Sequence, residues 1–354
     1  MVQDLLASRL NFIPERIRAP LLVIASLVVT YILVDYTPLL EPIPDIWKVQ
    51  IVNAMTLGGL YALIAIGYTM VYGVLQMINF AHGEIFMLGA FAGLWVFDQT
   101  TDLHDSASAL VILMAMIAAM AFSGGSALAL ERLAYRPLRR APRLVPLISA
   151  IGASIFISQL VTVILRGRPQ SVPRVFPEGS VEIAGIDVNY IRIFLIVMSF
   201  VFMFALFSFI RLTKTGKSIR AVAEDKDVAA LMGINVDRTI QITFLLGAVL
   251  AGAAGVMYSL FIPTLTGNMG FIPGLKAFTA AVLGGIGNIP GAMVGGYFLA
   301  FAETLGVQLA FEIDSDFGTE ASGYKDAIAF GLLVIVLIFR PNGIFGEEVG
   351  KKRA

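Results

Sequence analysis

The chain has 354 residues, of which 58% are hydrophobic and only 14% are charged, with a formal net charge of zero. Soluble domains carry about 25% charged residues, so this composition and the mean hydropathy of +0.84 argue against a large soluble enzyme. The zero net charge argues against a nucleic-acid-binding protein. The absence of cysteine excludes thiolate chemistry, and the presence of only two histidines makes a histidine-rich metal site a poor interpretation.

Ten apolar stretches are predicted to form membrane-spanning helices, because a helix needs about 20 apolar residues to cross the hydrocarbon core. They are residues 20–37, 51–72, 82–97, 110–131, 145–165, 191–211, 239–262, 274–287, 291–311 and 324–340. Segments 82–97 and 274–287 are short and glycine-rich or flanked by glycine, so either could be re-entrant. The predicted fold is an all-α polytopic integral membrane protein with about eight to ten transmembrane helices, including short or discontinuous segments.

The distribution of basic residues predicts the orientation of these spans. Loops 132–143 and 212–238 and the C-terminal tail contain several Lys and Arg residues, whereas loop 98–109 contains none and loop 312–323 is acidic. Cytoplasmic loops carry the excess of basic residues, so both termini are predicted to be cytoplasmic. The predicted organisation is a cytoplasmic segment 1–19, one transmembrane domain 20–340 with a cytoplasmic loop 212–238, and a cytoplasmic tail 341–354.

The polar stretch "RAVAEDKDVAALMGINVDR", residues 220–238, interrupts the apolar spans. It predicts a short amphipathic helix of about ten residues that ends at Gly233, because glycine favours the left-handed stop. The acidic residues of the first turn are Glu224, Asp225 and Asp227. The apolar residues that share one face are Val228, Leu231 and Met232. An acidic face does not suit an anionic membrane surface, so we expect the helix to dock on a protein partner.

The nearby sequence "TKTGKS", residues 213–218, resembles the end of a phosphate-binding P-loop. The P-loop requires an earlier glycine at position 211, which is Arg in this chain, and a preceding strand where a membrane span is predicted. We therefore expect the chain to bind no nucleotide or other cofactor, and no catalytic residue or metal ligand is predicted.

A few polar residues inside the spans are candidates for a translocation pathway, because ionisable groups at membrane depth usually face an interior cavity. They are Asn79, His82, Glu84, Lys276, Asn288 and Glu303. The motif "NFAHGE" is placed near the cytoplasmic side, where Glu84 could instead cap a helix. Lys276 and Glu303 could equally form a structural ion pair, and Asn288 lies in the turn "GNIPG".

Three segments, residues 59–91, 216–257 and 274–303, closely resemble the H-type (LivH-like) permease subunits of bacterial branched-chain amino-acid ABC transporters. The motifs "INFAHGEIFMLGAF", "AEDKDVAALMGINVDR" and "VLGGIGNIPGAMVGG" carry the resemblance, which extends from about residue 50 to 346. The resemblance implies a permease of the bacterial inner membrane that imports branched-chain or other neutral amino acids. The implied partners are a related M-type permease, two cytoplasmic ATPases that use the ATP, and a periplasmic solute-binding protein.

The resemblance also implies that the polar helix is the coupling helix that inserts into a cleft of the ATPase. The residues expected to fill the cleft are Ala229, Ala230, Leu231 and Met232, while Glu224, Asp225 and Asp227 would meet basic groups at its rim. An amino-acid carboxylate would suit helix N-termini at segments 82–97 and 274–291. Three alternatives stay open: a related permease for urea or short amides, an ion-coupled secondary transporter with His82 and Glu84 as a proton relay, and an intramembrane enzyme.

Overall fold

The computed structural model describes residues 44–139, 141–142, 144–313, 323, 325–340 and 342–346. The chain divides into two compact units, residues 1–48 and 49–354. Of the first unit, only residues 44–48 are described, and they open the first helix. The predicted segment 1–19 and span 20–37 lie outside the described residues.

The described residues form a helical protein with very little strand. The helices are α1 (Asp45–Leu75), α2 (His82–Gln99), α3 (His104–Leu130), α4 (Leu144–Ile164), α5 (Tyr190–Leu212), α6 (Lys214–Glu224), α7 (Lys226–Leu231), α8 (Val236–Phe261), α9 (Phe271–Gly284), α10 (Ile289–Ile313) and α11 (Lys325–Phe339). A π-helical turn, Glu131–Tyr135, and a 3-10 turn, Arg136–Leu138, extend α3, and another 3-10 turn, Thr101–Leu103, precedes it. The strands are β1 (Gln170–Ser171), β2 (Ser180–Ile183), β3 (Ile186–Asn189) and β4 (Thr264–Leu265).

Six of the described helices are long and apolar enough to cross a membrane: α1, α3, α4, α5, α8 and α10. The apolar helix α9 has only 14 residues, which is too short to cross the hydrocarbon core of about 30 Å at 1.5 Å per residue. The nine predicted spans within the described residues all coincide with helices. The prediction of a polytopic all-α membrane protein is therefore confirmed.

The core forms where α8 packs against α2 and α3 through small residues. A Cβ added to Gly252 would lie 2.6 Å from the carbonyl oxygen of Ala119, and one added to Gly255 would lie 2.4 Å from that of Phe86. Such close backbone approach compensates in a membrane for the missing hydrophobic drive between helices. The small-residue stripe of α8 therefore fixes α2 rigidly at the centre of the protein.

Contacts outside the long helices join loops that are predicted to share one side of the membrane. The antiparallel pair β1–β4 joins two loops predicted to lie outside. The guanidinium of Arg136 donates to the carboxylate of Asp237 at 3.1 Å, which joins two loops predicted to lie inside. The amide of Ile344 donates to the carbonyl of Leu283 at 2.8 Å and ties the tail to the α9–α10 turn. These contacts agree with the predicted alternation of the loops, while the absolute orientation stays a prediction.

Candidate functional site

The polar loop 212–238 folds into two helices rather than one. Thr213 caps α6, where its hydroxyl accepts from the amide of Gly216 at 3.0 Å. Asp225 then separates α6 from α7, because its carboxylate accepts from the amides of Asp227 and Val228 at 2.9 and 3.0 Å. An aspartate in this position satisfies amides that the first helical turn leaves free. The predicted ten-residue helix is thus shortened to six residues, Lys226–Leu231.

The end of α7 has the expected glycine stop. Gly233 has φ +82°, and its amide donates to the carbonyl of Ala230 at 3.0 Å. The amide of Ile234 donates to the carbonyl of Ala229, and Asn235 then caps α8 by accepting from the amide of Arg238 at 2.9 Å. These bonds connect the end of α7 directly to the start of the long helix α8.

The apolar face of α7 is largely exposed. Leu231 is 87% exposed, Met232 77% and Val228 54%. Two sequence expectations are corrected. Ala229 is only 3% exposed and packs into the protein's own core, so it is not available to fill a partner's cleft. Glu224 ends α6 and is not in the first turn of α7, because the Asp225 cap starts the new helix. Ala230 and Asp227 are exposed as expected.

A cluster of charged side chains joins the start of α8 to the end of α3. Arg136 and Arg139 both donate to the carboxylate of Asp237, and Arg139 also pairs with Glu131, which is fully buried in the π-helical turn. Burial, together with the positive charge of Arg139, lowers the pKa of the Lys226 amine on α7. The coupling-helix candidate and Arg139 of the charged cluster are therefore electrostatic neighbours.

The same π-helical turn reaches the first pathway candidate. The hydroxyl of Tyr135 donates to the side-chain oxygen of Asn79 at 2.6 Å, and both side chains are buried. Asn79 lies in the non-helical segment between α1 and α2, and its carbonyl accepts from the amide of His82 at 3.0 Å. A π-helical turn is rare and often marks a functional position. Here it connects the charged cluster to the start of α2.

The start of α2 lies beside the middle of neighbouring helices. A Cβ added to Gly67 would lie 2.1 Å from Nε2 of His82 and 3.2 Å from the carbonyl oxygen of Gly247. Gly247 is near the middle of α8, and Gly67 is well inside α1. The expectation that "NFAHGE" lies near the cytoplasmic side is therefore wrong, because the chain between α1 and α2 folds back into the bundle before α2 begins.

The N-termini of α2 and α9 meet at this level. A Cβ added to Gly83 would lie 2.4 Å from the carbonyl oxygen of Gly270, and one added to Gly274 would lie 2.9 Å from Cα of Gly83. Only glycine permits this approach. We call the contact of Gly83 with Gly270 and Gly274 the half-helix junction. The discontinuous segments predicted from glycine content thus converge on each other.

A row of hydroxyl groups on α4 holds the chain that leads to this junction. Ser158 donates to the carbonyl of Gly267 at 3.1 Å, and Thr162 contacts the same glycine. One turn earlier, Ser154 donates to Oε1 of Glu84 at 3.2 Å. Because residues four apart share one helical face, α4 guides the non-helical chain after β4 toward the start of α9.

Glu84 and His82 face different neighbours. Glu84 is 1% exposed and lies against Ser154 and Gly270, whereas His82 is 2% exposed and packs edge-on against Tyr68 with ring centroids 4.9 Å apart. Oε2 of Glu84 and Nε2 of His82 have no hydrogen-bond partner among the described residues. Glu84 bonds across to α4 and does not cap α2. The geometry gives no direct contact for a His82–Glu84 proton relay.

Lys276 and Glu303 form the predicted ion pair between α9 and α10. The Lys276 amine donates to Oε1 of Glu303 at 2.7 Å and to Asp326 of α11 at 2.6 Å. The hydroxyl of Tyr61 donates to Oε2 of Glu303 at 3.5 Å, and its ring lies 5.9 Å from the lysine nitrogen. Four helices thus share one largely buried polar cluster, which we call the lysine cluster.

A cavity of about 310 Å³ opens beside the lysine cluster, above the start of α9. Its wall combines polar and apolar groups: Tyr61, Tyr258, Thr264, Thr266, Asn268, Met269, Ile272, Pro273 and Lys276. Asn288 is far from this wall in the fold. It caps α10 through the amide of Gly291 at 3.1 Å and donates to the carbonyl of Phe345 at 3.0 Å, so its observed contacts are structural rather than part of a pathway.

Several residues of these sites had not been identified in the sequence. Arg139 and Asp237 lie in loops predicted to be basic or polar, Tyr135 lies outside the predicted spans, and Asp326 lies inside a predicted apolar span. Asp326 offers one signal, because it is an ionisable residue within a predicted span. Among the described residues, no group of three His, Asp or Glu side chains is arranged to hold a metal ion.

Comparison with known proteins decides the family. Residues 50–337 match the family described as the branched-chain amino acid transport system permease component. The chain belongs to this family. The match covers every described helix from α2 to α10 and most of α1 and α11. No solved structure shows significant similarity to the chain.

Individual relatives agree with the family. The chain is 42% identical over 307 residues to the high-affinity branched-chain amino acid transport system permease protein BraD of Pseudomonas aeruginosa, covering 86% of this chain and 97% of that protein. It is 42% identical to LivH of Salmonella typhimurium and 41% identical to LivH of Escherichia coli K12, in each case over 86% of this chain and 96% of the relative.

Proposed function

We propose that the chain is the membrane-spanning permease subunit of an ATP-binding-cassette importer that moves branched-chain or other neutral amino acids into the cytoplasm. The names and near full-length coverage of BraD and LivH support this substrate class. The chain would be a multi-pass protein of the bacterial inner membrane with both termini in the cytoplasm. It would bind no cofactor of its own, and ATP would be hydrolysed by partner subunits.

The proposed assembly contains a related M-type permease, two cytoplasmic ATPases and a periplasmic solute-binding protein. A permease can be driven only if the motor contacts its inward-facing and outward-facing states differently. Helix α7 provides a suitable contact, because it is short, capped at both ends and bonded directly to α8.

The observation that carries the proposal is the exposed apolar face of α7, formed by Val228, Leu231 and Met232. This face lies on a polar loop, where apolar side chains grouped on one surface favour a protein partner. The acidic residues Asp225 and Asp227 at the start of α7 would face basic groups around the partner's cleft.

The charged cluster and the π-helical turn supply a continuous route from α7 to the membrane interior. A displacement of α7 would move Asp237 at the start of α8, and with it Arg139 and the π-helical turn. Tyr135 of that turn would then shift Asn79 and the start of α2. The links from Asp237 to Arg139, from Arg139 to Glu131 and from Tyr135 to Asn79 are direct side-chain contacts, and the other steps run along the backbone. The route can therefore be broken at one side chain.

The test is ATP-driven leucine uptake by the reconstituted transporter. Leu231→Asp places a charge on the docking face, so we expect uptake to fall to background and the ATPases to be lost on purification, with normal amounts of the permease in the membrane. Val181→Asp is the matched control, because Val181 is 42% exposed on a loop predicted to lie outside. Normal uptake by Leu231→Asp would overturn the assignment of α7.

Arg139→Ala separates docking from transmission. It leaves the exposed face of α7 intact but removes the contacts of Arg139 with Glu131 and Asp237. We expect the ATPases to co-purify with this variant while the amount of leucine moved per ATP falls. An ion-coupled secondary transporter is the competing function. It predicts uptake by the purified chain alone under an ion gradient, which an ABC permease does not support.

A further inference from the structure

The cavity beside the lysine cluster has the dimensions and polarity of a small-solute site. Its volume of about 310 Å³ lies at the lower end of the range of about 300–1,000 Å³ that ligand pockets occupy. Tyr258 lines the cavity beside Lys276, and the polar side chains of Thr264, Thr266 and Asn268 form part of its wall. The cavity is therefore more than a packing gap, because polar side chains form much of its wall.

The charges around the cavity are of both signs. In the lysine cluster one cation meets two carboxylates, Glu303 and Asp326, so the cluster carries a formal excess of one negative charge. The two carboxylates occupy two of the three N–H donors of the Lys276 amine, which itself lines the cavity. The excess negative charge favours a cationic group, and the third donor of Lys276 favours an anionic one.

The helix that begins at the cavity adds to the anionic preference. Ile272 and Pro273 of the first turn of α9 form part of the wall, and the N-terminus of a helix attracts a carboxylate. Met269 and Ile272 offer an apolar surface, and the ring of Tyr61 offers another. One wall of the cavity thus suits a carboxylate and an aliphatic group, while the carboxylates of Glu303 and Asp326 lie one hydrogen bond behind Lys276.

We propose that this cavity binds a free zwitterionic α-amino acid with an aliphatic side chain during its passage through the permease. The ammonium group lies toward Asp326 and Glu303, the carboxylate lies at the start of α9 beside Lys276, and the side chain contacts Met269 and Ile272. This inference rests on the proposed function and deepens it, because it gives the permease a substrate contact of its own, separate from the solute-binding protein.

The test measures binding of radiolabelled leucine to the purified complex of both permeases and the two ATPases, without nucleotide and without the solute-binding protein. We expect saturable binding. The competitor 4-methylpentanoate lacks the ammonium group and 3-methylbutylamine lacks the carboxylate, so each should compete about ten- to a hundredfold more weakly than leucine. Equal competition by either compound would overturn the zwitterion assignment, and the absence of saturable leucine binding would overturn the site.

Two variants locate the site. Asp326→Asn removes a half-exposed charge of the lysine cluster and should weaken leucine binding about ten- to a hundredfold. Ile272→Trp fills the cavity without touching the ion pairs and should abolish binding. Asp102→Asn, which alters an exposed acid in the turn before α3, is the matched control and should bind leucine normally.

The outcome is independent of the test of α7. If Ile272→Trp binds leucine as the unmodified complex does, the cavity is not the site even though the chain is an ATP-driven permease. If Leu231→Asp keeps its ATPases and its uptake while Ile272→Trp loses binding, the coupling assignment fails and the cavity assignment stands.

Discussion

Glu84 and Glu303 are two buried carboxylates in the same helical bundle, yet their surroundings differ sharply. Glu303 is 3% exposed, and both of its oxygens accept hydrogen bonds, one from Lys276 and one from Tyr61. Glu84 is 1% exposed, and its single hydrogen bond comes from Ser154. No cation among the described residues forms an ion pair with Glu84.

This difference separates a carboxylate held by countercharge from one held by backbone geometry. In the lysine cluster, the opposite charge of Lys276 offsets the free-energy cost of burying the Glu303 carboxylate. At the half-helix junction Glu84 lies in the first turn of α2 against Gly270, with Ser154 as its hydrogen-bond donor and with no partner for Oε2 among the described residues. The first arrangement resists disruption at the side chains, and the second depends on the close approach of glycine backbones.

The largest effect is expected from Lys276→Met, which leaves Glu303 without its cation at a position 5% exposed. Removal of one partner of a buried ion pair typically costs about 3–5 kcal/mol. We expect a correspondingly large fall in the thermal unfolding temperature of the detergent-solubilised protein. The double variant Lys276→Met/Glu303→Leu should recover most of the loss, because it removes the stranded charge as well. A double variant no more stable than Lys276→Met would show that the pair is not the source of the loss.

The lysine cluster was partly predictable from sequence, and the junction was not. A lysine and a glutamate in adjacent apolar spans are expected to pair, because neither is tolerated alone in the membrane interior. Asp326 contacts Lys276 only because α11 packs against α9, and no local sequence pattern specifies that packing. The spans themselves were predictable for the same reason, because hydropathy and length are local properties.

The half-helix junction could not be predicted, because it depends on contacts between residues about 190 positions apart. Glycine content indicated that two segments were discontinuous, but not that Gly83 and Gly270 touch. The length of α7 could not be predicted either, and here the reason is local. The acidic residues together suggest one acidic first turn, and only the capping bonds of Asp225 show that α6 ends at Glu224 and α7 begins at Lys226.

A smaller effect is expected from Gly83→Ala, which tests the junction directly. The added methyl would lie 2.4 Å from the carbonyl oxygen of Gly270, so the two backbones would have to separate. Overpacking of this kind typically costs about 1–3 kcal/mol. Gly125→Ala on α3 is the matched control, because the added methyl meets no atom within 4 Å. Helix propensity would make that control neutral or stabilising by up to about 1 kcal/mol. Equal unfolding temperatures for the two variants would refute a tight junction.

The smallest change in stability is expected from Glu84→Gln, and its value lies in separating stability from transport. Glutamine has the same shape and still accepts from Ser154, and no ion pair is broken. Loss of one ordinary hydrogen bond would cost about 1 kcal/mol, so we expect an unfolding temperature close to that of the unmodified protein. If the Glu84 carboxylate takes part in translocation at the meeting point of α2 and α9, leucine uptake or the amount of ATP used per leucine will change nonetheless. Unchanged uptake and unchanged ATP use in proteoliposomes would limit Glu84 to a structural contact with α4. Lys276→Met, in contrast, should lower both stability and transport. Comparing the two variants decides whether the moving part of the permease lies at the lysine cluster, held by countercharge, or at the half-helix junction, held by backbone geometry.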